Sequence, residues 1–155
     1  MRFREKLVMF LATGAFAGNI PIAPGTFGSI VAIPLCYLFS EINLYLAVIG
    51  MLLFIVLAIW IAQAAETILG KTDPGAIVID EIAGMVVTLI GVPFDLTSVV
   101  SGFLIFRVMD ITKPFPIRTL ERRLPGGIGV VLDDVVAGIY SNIFVRLVLF
   151  SFNNG

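Results

Sequence analysis

The sequence predicts an all-α integral membrane protein, a compact bundle of about six helices, and three observations carry that expectation. Of the 155 residues, 59% are hydrophobic and 14% charged, against roughly 45–50% apolar and about 25% charged residues in soluble domains, and the mean hydropathy is +1.06. Residues 7–40 contain no Asp, Glu, Lys or Arg, and neither do residues 42–65. The second run exceeds the ~20 residues that cross a bilayer core. The apolar segments also lack the strict alternation of a membrane barrel, and an open sheet edge in lipid would leave backbone groups unpaired. One domain over residues 1–155 is the simplest organisation.

Proline, glycine and charge divide the chain into its elements. A first helix spans residues 3–17 and ends in "GNIPIAPGTFGS", where Pro21, Pro24 and the Pro-Gly step forbid continuation. The second runs from residue 26 or 27 to 40. The third, 43–69, is the best single spanning candidate. The fourth covers 77–90, the fifth 96–111 and the sixth 130–152. Several of these are shorter than a full crossing at ~1.5 Å per residue and are expected to be short or only partly inserted. If the segments from Phe27 onward alternate direction, starting inside, the loop 18–29 and the acids described below all lie at the cytoplasmic face.

The charges are few but placed. Arg2, Arg4 and Lys6 crowd the N-terminus, and Lys113, Arg118, Arg122 and Arg123 crowd one later loop, which puts both on the cytoplasmic side. No basic stripe suggests nucleic acid. The lone Cys36 cannot form an internal disulfide and reads as packing. "MRFREK", "LVMFLATG" and "AFAG" mimic a cleavable leader, but the loop that follows carries a candidate functional motif, and later apolar segments would anchor the chain in any case.

Two acidic doublets interrupt apolar runs: Asp80 and Glu81 in "DPGAIVIDEIAGM", and Asp133 and Asp134 in "GIGVVLDDVVAGIY". Carboxylates ~4 Å apart repel by about 4 kcal/mol at an effective dielectric near 20, so such acids need a cation or protonation. Oxygen ligands without histidine point to Mg²⁺, Mn²⁺ or Ca²⁺. A structural ion network or a proton path remains the alternative. Asp80 is followed by Ala83 and Gly84, and Asp134 by Ala137 and Gly138, small residues that let two helices approach and bring the acids face to face. Between the doublets, "FRVMDITKPFPIRTLERRLPGGIGV" supplies Arg107, Asp110 and Lys113, with Pro114 ending the helix so that Lys113 stands at the mouth of the site as a point charge for a phosphate. Gly25, Thr26, Gly28 and Ser29 sit at a helix start, where backbone N–H groups suit a phosphate, although no P-loop pattern is present. The absence of histidine excludes phosphohistidine chemistry, and no cysteine-phosphatase loop or G-x-S-x-G is found. What survives is metal-assisted attack on a phosphate ester by water or by a carboxylate.

These three blocks together resemble phosphatidylglycerophosphatase A over most of the chain, leaving the region 37–64 generic. The resemblance implies a Mg²⁺-dependent phosphomonoesterase that converts phosphatidylglycerophosphate to phosphatidylglycerol at the bacterial cytoplasmic membrane. It also implies a compact helical fold that a soluble relative shares. The family's acidic motifs match Asp80 with Glu81, Asp110 with Lys113, and Asp133 with Asp134, and its loop matches Pro24, Gly25, Thr26, Gly28 and Ser29.

The expected site therefore has Asp80, Glu81, Asp133 and Asp134 as metal ligands with Asp110 nearby, and Gly25, Thr26, Ser29, Arg107 and Lys113 as phosphate contacts. The expected partners are the lipid substrate and membrane lipids, and the expected placement is a multi-pass chain with the site facing the cytoplasm. A small cation- or proton-coupled transporter is the principal rival, and a helical scaffold the second.

Overall fold

A computed structural model describes residues 2–153; among them are seven α-helices, one short 3₁₀ turn and no strand. Helix α1 (Phe3–Ala12) ends earlier than the sequence reading. Gly14, Ala15 and Phe16 all take positive φ, of 54°, 53° and 73°. The Thr13 hydroxyl holds this reversal, donating to the Met9 carbonyl at 2.8 Å and accepting from the Phe16 N–H at 3.2 Å. A 3₁₀ turn at Ala17–Asn19 follows.

Helix α2 (Pro24–Ser40) starts on the proline itself, whose missing N–H would have lacked a partner in the first turn anyway. Its buried residues are Gly25, Gly28, Ser29, Ala32 and Cys36, a stripe of small side chains at helical spacing. Helix α3 (Leu44–Leu69) is capped by Asn43, which accepts from the Leu46 N–H at 3.0 Å, and closed by Gly70 at φ 62°. Its buried stripe is narrow, mostly alanine, while Leu53, Val56 and Trp60 on the other faces are more than half exposed. An apolar helix exposed on most of its circumference is suited to lipid, not water.

Helix α4 (Ile79–Leu89) is the reverse: every residue but the half-buried Glu81 is buried. Helix α5 (Leu96–Thr112) is capped by Asp95, which accepts from the Ser98 N–H at 2.8 Å, and ends at Lys113 with φ 44°. A seven-residue helix α6 (Ile117–Arg123) occupies the basic loop, an element the sequence reading did not separate. Helix α7 (Gly126–Asn153) begins four residues before the expected start at 130, with the Gly127 N–H on Gln63 Oε1 at 3.0 Å. Among the described residues, α3 and α7 are the two helices long and apolar enough to cross a membrane; at 1.5 Å per residue their 26 and 28 residues reach about 39 and 42 Å.

The bundle is built around α4, against which α7, α2, α3 and α5 all pack. The α4–α7 crossing is set by glycine. A Cβ on Gly84 would lie 2.9 Å from the Asp134 carbonyl oxygen, and one on Gly138 would lie 2.5 Å from the Gly84 carbonyl oxygen. Both distances are below ordinary contact, so the backbones touch where larger residues would part them. At its far end α4 is closed by α7 side chains. Asn142 Nδ2 donates to the carbonyls of Val87, Thr88 and Ile90 at 3.2, 2.9 and 3.0 Å, and Arg146 donates to Ile90 and Gly91. The carbonyls of Val87 and Thr88 in the last turn of this largely buried helix, and those of the two residues that follow it, are thereby satisfied.

Candidate active site

Three elements meet at one end of the bundle. Helix α4 contributes Asp80 and Glu81 from its first turn, where the partial positive charge of the helix N-terminus favours acids. Helix α7 contributes Asp133 and Asp134, and α5 with its cap contributes Arg107, Asp110 and Lys113. A cavity of about 160 Å³ lies among them, lined by Asp80, Glu81, Asp110, Lys113, Asp133 and Asp134 together with Asp73 and Glu121.

The acids divide into two groups by partner. Arg107 Nη1 pairs with Asp110 Oδ2 at 2.5 Å. Lys113 Nζ lies between Asp133 Oδ2 at 2.7 Å and Glu121 Oε1 at 2.8 Å. Burial alone would lower the lysine's affinity for its proton, but the hydrogen bonds to the two carboxylates outweigh it and hold the pKa above the usual range. In the loop before α4, desolvation raises the Asp73 carboxyl above its usual range, with Lys113 pulling the other way. Asp73 is fixed through its N–H, which donates to Glu66 Oε1 at 2.7 Å.

Asp80, Glu81 and Asp134 form the second group. Each offers a carboxylate oxygen within 4.8 Å of the others, and none is in an ion pair among the described residues. Asp80 Oδ1, Glu81 Oε2 and Asp134 Oδ2 are buried without a hydrogen-bond partner. At that separation two carboxylates repel by about 3–4 kcal/mol for an effective dielectric near 20. Three hard oxygen donors that have lost water and gained no partner fit a divalent cation such as Mg²⁺.

Asp133 turns away from this trio. Besides holding Lys113, it accepts from the Asp134 N–H through Oδ1 at 3.0 Å. The α2 loop meets the site from behind: a Cβ on Gly25 would collide with Glu81 Oε1 and crowd Arg107 Nη1. Ser29 is fully buried and donates to the Gly25 carbonyl at 2.8 Å, and Thr26 is half-buried; neither lines the acidic cavity. Glu121, Glu66 and Asp73 were not singled out in the sequence. The available signal for Glu66 was its position as the first charge after the run 42–65.

A family model described as Phosphatidylglycerophosphatase A matches residues 10–149. The chain belongs to the phosphatidylglycerophosphatase A family. It is 41% identical over 132 residues to a phosphatidylglycerophosphatase A of Escherichia coli, covering 84% of this chain and 77% of that protein. It is 36% identical over 140 residues to the Haemophilus influenzae protein of the same name, covering 89% and 86%. A putative phosphatidylinositol-3-phosphatase of Bacteroides thetaiotaomicron is 36% identical over 149 residues, covering 91% and 92%. No solved structure matches the chain. Both acidic doublets, Lys113 and the Gly25 loop lie within the stretch that the phosphatidylglycerophosphatase A model covers, and the chain is thus an enzyme of a phosphatase family.

Proposed function

We propose that this protein hydrolyses the terminal phosphomonoester of phosphatidylglycerophosphate, giving phosphatidylglycerol and inorganic phosphate, with Mg²⁺ held by Asp80, Glu81 and Asp134. The observation that carries the reading is the trio of carboxylates on α4 and α7, each offering an oxygen within 4.8 Å of the others and each with one buried oxygen that has no hydrogen-bond partner. When bound there, the cation supplies Lewis acidity at phosphorus and offsets charge on the phosphoryl oxygens.

The chain's own residues do the rest. Lys113, held at the rim by Asp133 and Glu121, presents its ammonium to the entering phosphate. Arg107, fixed by Asp110 and adjacent to Glu81 across the Gly25 gap, adds a second positive charge behind the trio. Tight packing of α4 on α7 keeps bulk water from the buried oxygens, which sharpens every electrostatic contact. Exposed Leu, Ile and Phe side chains around the bundle let the acyl chains remain in the bilayer while the headgroup reacts.

The site end carries the cations Lys71, Lys113, Arg118, Arg122 and Arg123, whereas the opposite end carries one, Arg146, beside Glu41 and Asp95. That asymmetry supports a multi-pass chain in the bacterial cytoplasmic membrane with the site on the cytoplasmic side.

The test is phosphate release from phosphatidylglycerophosphate by the purified protein in detergent. Turnover is expected with Mg²⁺ and none with chelator, and D80N and D134N should each lower kcat by about 100-fold or more. Turnover unaffected by both substitutions would remove the trio from the chemistry. A cation transporter would release no phosphate under any of these conditions.

A further inference from the structure

Beside the acidic cavity lies a second, larger cleft of about 610 Å³, lined by Thr112, Lys113, Arg118, Thr119, Arg122 and Arg123. The two cavities share Lys113. Every charged group lining the larger one is a cation, because Glu121, the acid on the same short helix, faces the other way onto Lys113 at 2.8 Å. None of the three arginines is in an ion pair among the described residues.

Arg118 and Arg122 stand one turn apart on α6, so their charges face the same space. Arg118 is tethered to the cleft wall, Nη2 donating to the Thr112 carbonyl at 3.3 Å, and keeps its other N–H groups free. Like charges gathered on one face without a counter-ion form an anion site, and the planar fork of arginine suits phosphate oxygens. Phe115, on the lip of the same cleft, is 81% exposed, as an aromatic at a membrane interface is.

Resting on the phosphomonoesterase reading above, we infer that this cleft binds the second phosphate of the substrate, the diester that joins the headgroup to the diacylglycerol. The monoester then reaches the carboxylate trio past Lys113 while Arg118 and Arg122 grip the diester beside the bilayer surface. Such a cleft selects lipids that carry both phosphates over a lipid with a monoester alone, since the latter leaves the arginines without their anion. Phosphatidylglycerophosphate and a phosphatidylinositol 3-phosphate, the lipids that the relatives' names contain, both have this layout of a diester followed by a polyol and a monoester.

Kinetics in mixed micelles test it. R118Q/R122Q is expected to raise the surface KM for phosphatidylglycerophosphate about tenfold with kcat within about twofold, and R118K/R122K to recover only part of the loss. The effect should persist at high salt, where diffuse attraction to anionic lipid is screened. An unchanged KM, a shift that vanishes in salt, or a loss confined to kcat would overturn the inference. Helical circular dichroism and Tm report whether the double variant folds; if it does not, R122Q alone serves, with the same expected direction.

If wild-type protein releases no phosphate from this lipid, the hydrolase reading falls by itself. The cleft is then read without turnover, by titrating glycerophosphoglycerol in chelator against the arginine ¹⁵Nε resonances. Saturable shifts at Arg118 and Arg122 uphold the cleft, and their absence overturns it.

Discussion

At the scale of the residue, the site depends on what is missing from Gly25 as much as on its carboxylates. The α2 backbone lies so close to Glu81 and Arg107 that a single methyl would displace one of them. G25A is expected to lower phosphate release by about tenfold to 100-fold, the order associated with a misplacement of ~1 Å, while Tm moves little because Glu81 can swing into the cavity. Parallel activity and melting measurements check this; a large Tm loss with unchanged kcat would contradict it. The sequence made the two doublets legible because acids amid Val and Leu need a reason to be there. It could not apportion them. Asp133 and Asp134 are neighbours, yet one takes Lys113 and the other joins Asp80 and Glu81, and that division depends on the left-handed turn at Lys113 and on where α6 places Glu121. Gly25 and Ser29 stood out as helix-start residues, but their roles in the fold, a gap and a buried backbone contact, depend on the packing partner.

At the scale of the element, α4 illustrates how a short helix survives inside a bundle. Ten of its residues are buried, and Asn142 supplies the donor for the Val87 and Thr88 carbonyls of its last turn while Arg146 holds the Ile90 and Gly91 carbonyls just beyond it. N142L keeps the volume and removes the amide, leaving carbonyls with fewer donors. A loss of about 1–3 kcal/mol is expected, seen as a Tm lowered by roughly 2–10 °C for a chain of this size, with kcat at low temperature near wild type. Thermal melts and assays below the transition decide the point. No sequence pattern announces such a cap, because Asn142 and Ile90 are far apart in the chain and meet only through the crossing of α7. The ends of α3 and α5 were legible, since Asn43 and Asp95 are good N-cap residues and Gly70 a good terminator. Helix α6 was hidden, being seven residues long with too few apolar positions to show a period.

At the scale of the whole molecule, composition gave the class and small residues gave the core. The echo of Ala83-Gly84 and Ala137-Gly138 marks the real crossing of α4 and α7, although it could not show that α4 lies at the centre. The exposed apolar residues, from Leu7 and Leu38 through Leu53, Val56 and Trp60 to Phe150, form far more apolar surface than a soluble monomer tolerates. Alkaline carbonate extraction of membranes from expressing cells is accordingly expected to leave the protein in the pellet. Recovery in the supernatant would contradict a bilayer-embedded bundle.

The enclosure of α4 has a consequence for biosynthesis. An eleven-residue helix, about 16 Å long and led by two acids, is too short and too polar to partition into a bilayer as an independent span. It can settle only once its neighbours surround it, and α7, which supplies both the crossing glycine and the terminal cap, is made some 37 residues later. A nascent chain halted before α7 therefore holds Asp80 and Glu81 without the helix that covers them and without a third carboxylate, and the acidic end of the molecule comes into being only once α7 has been made.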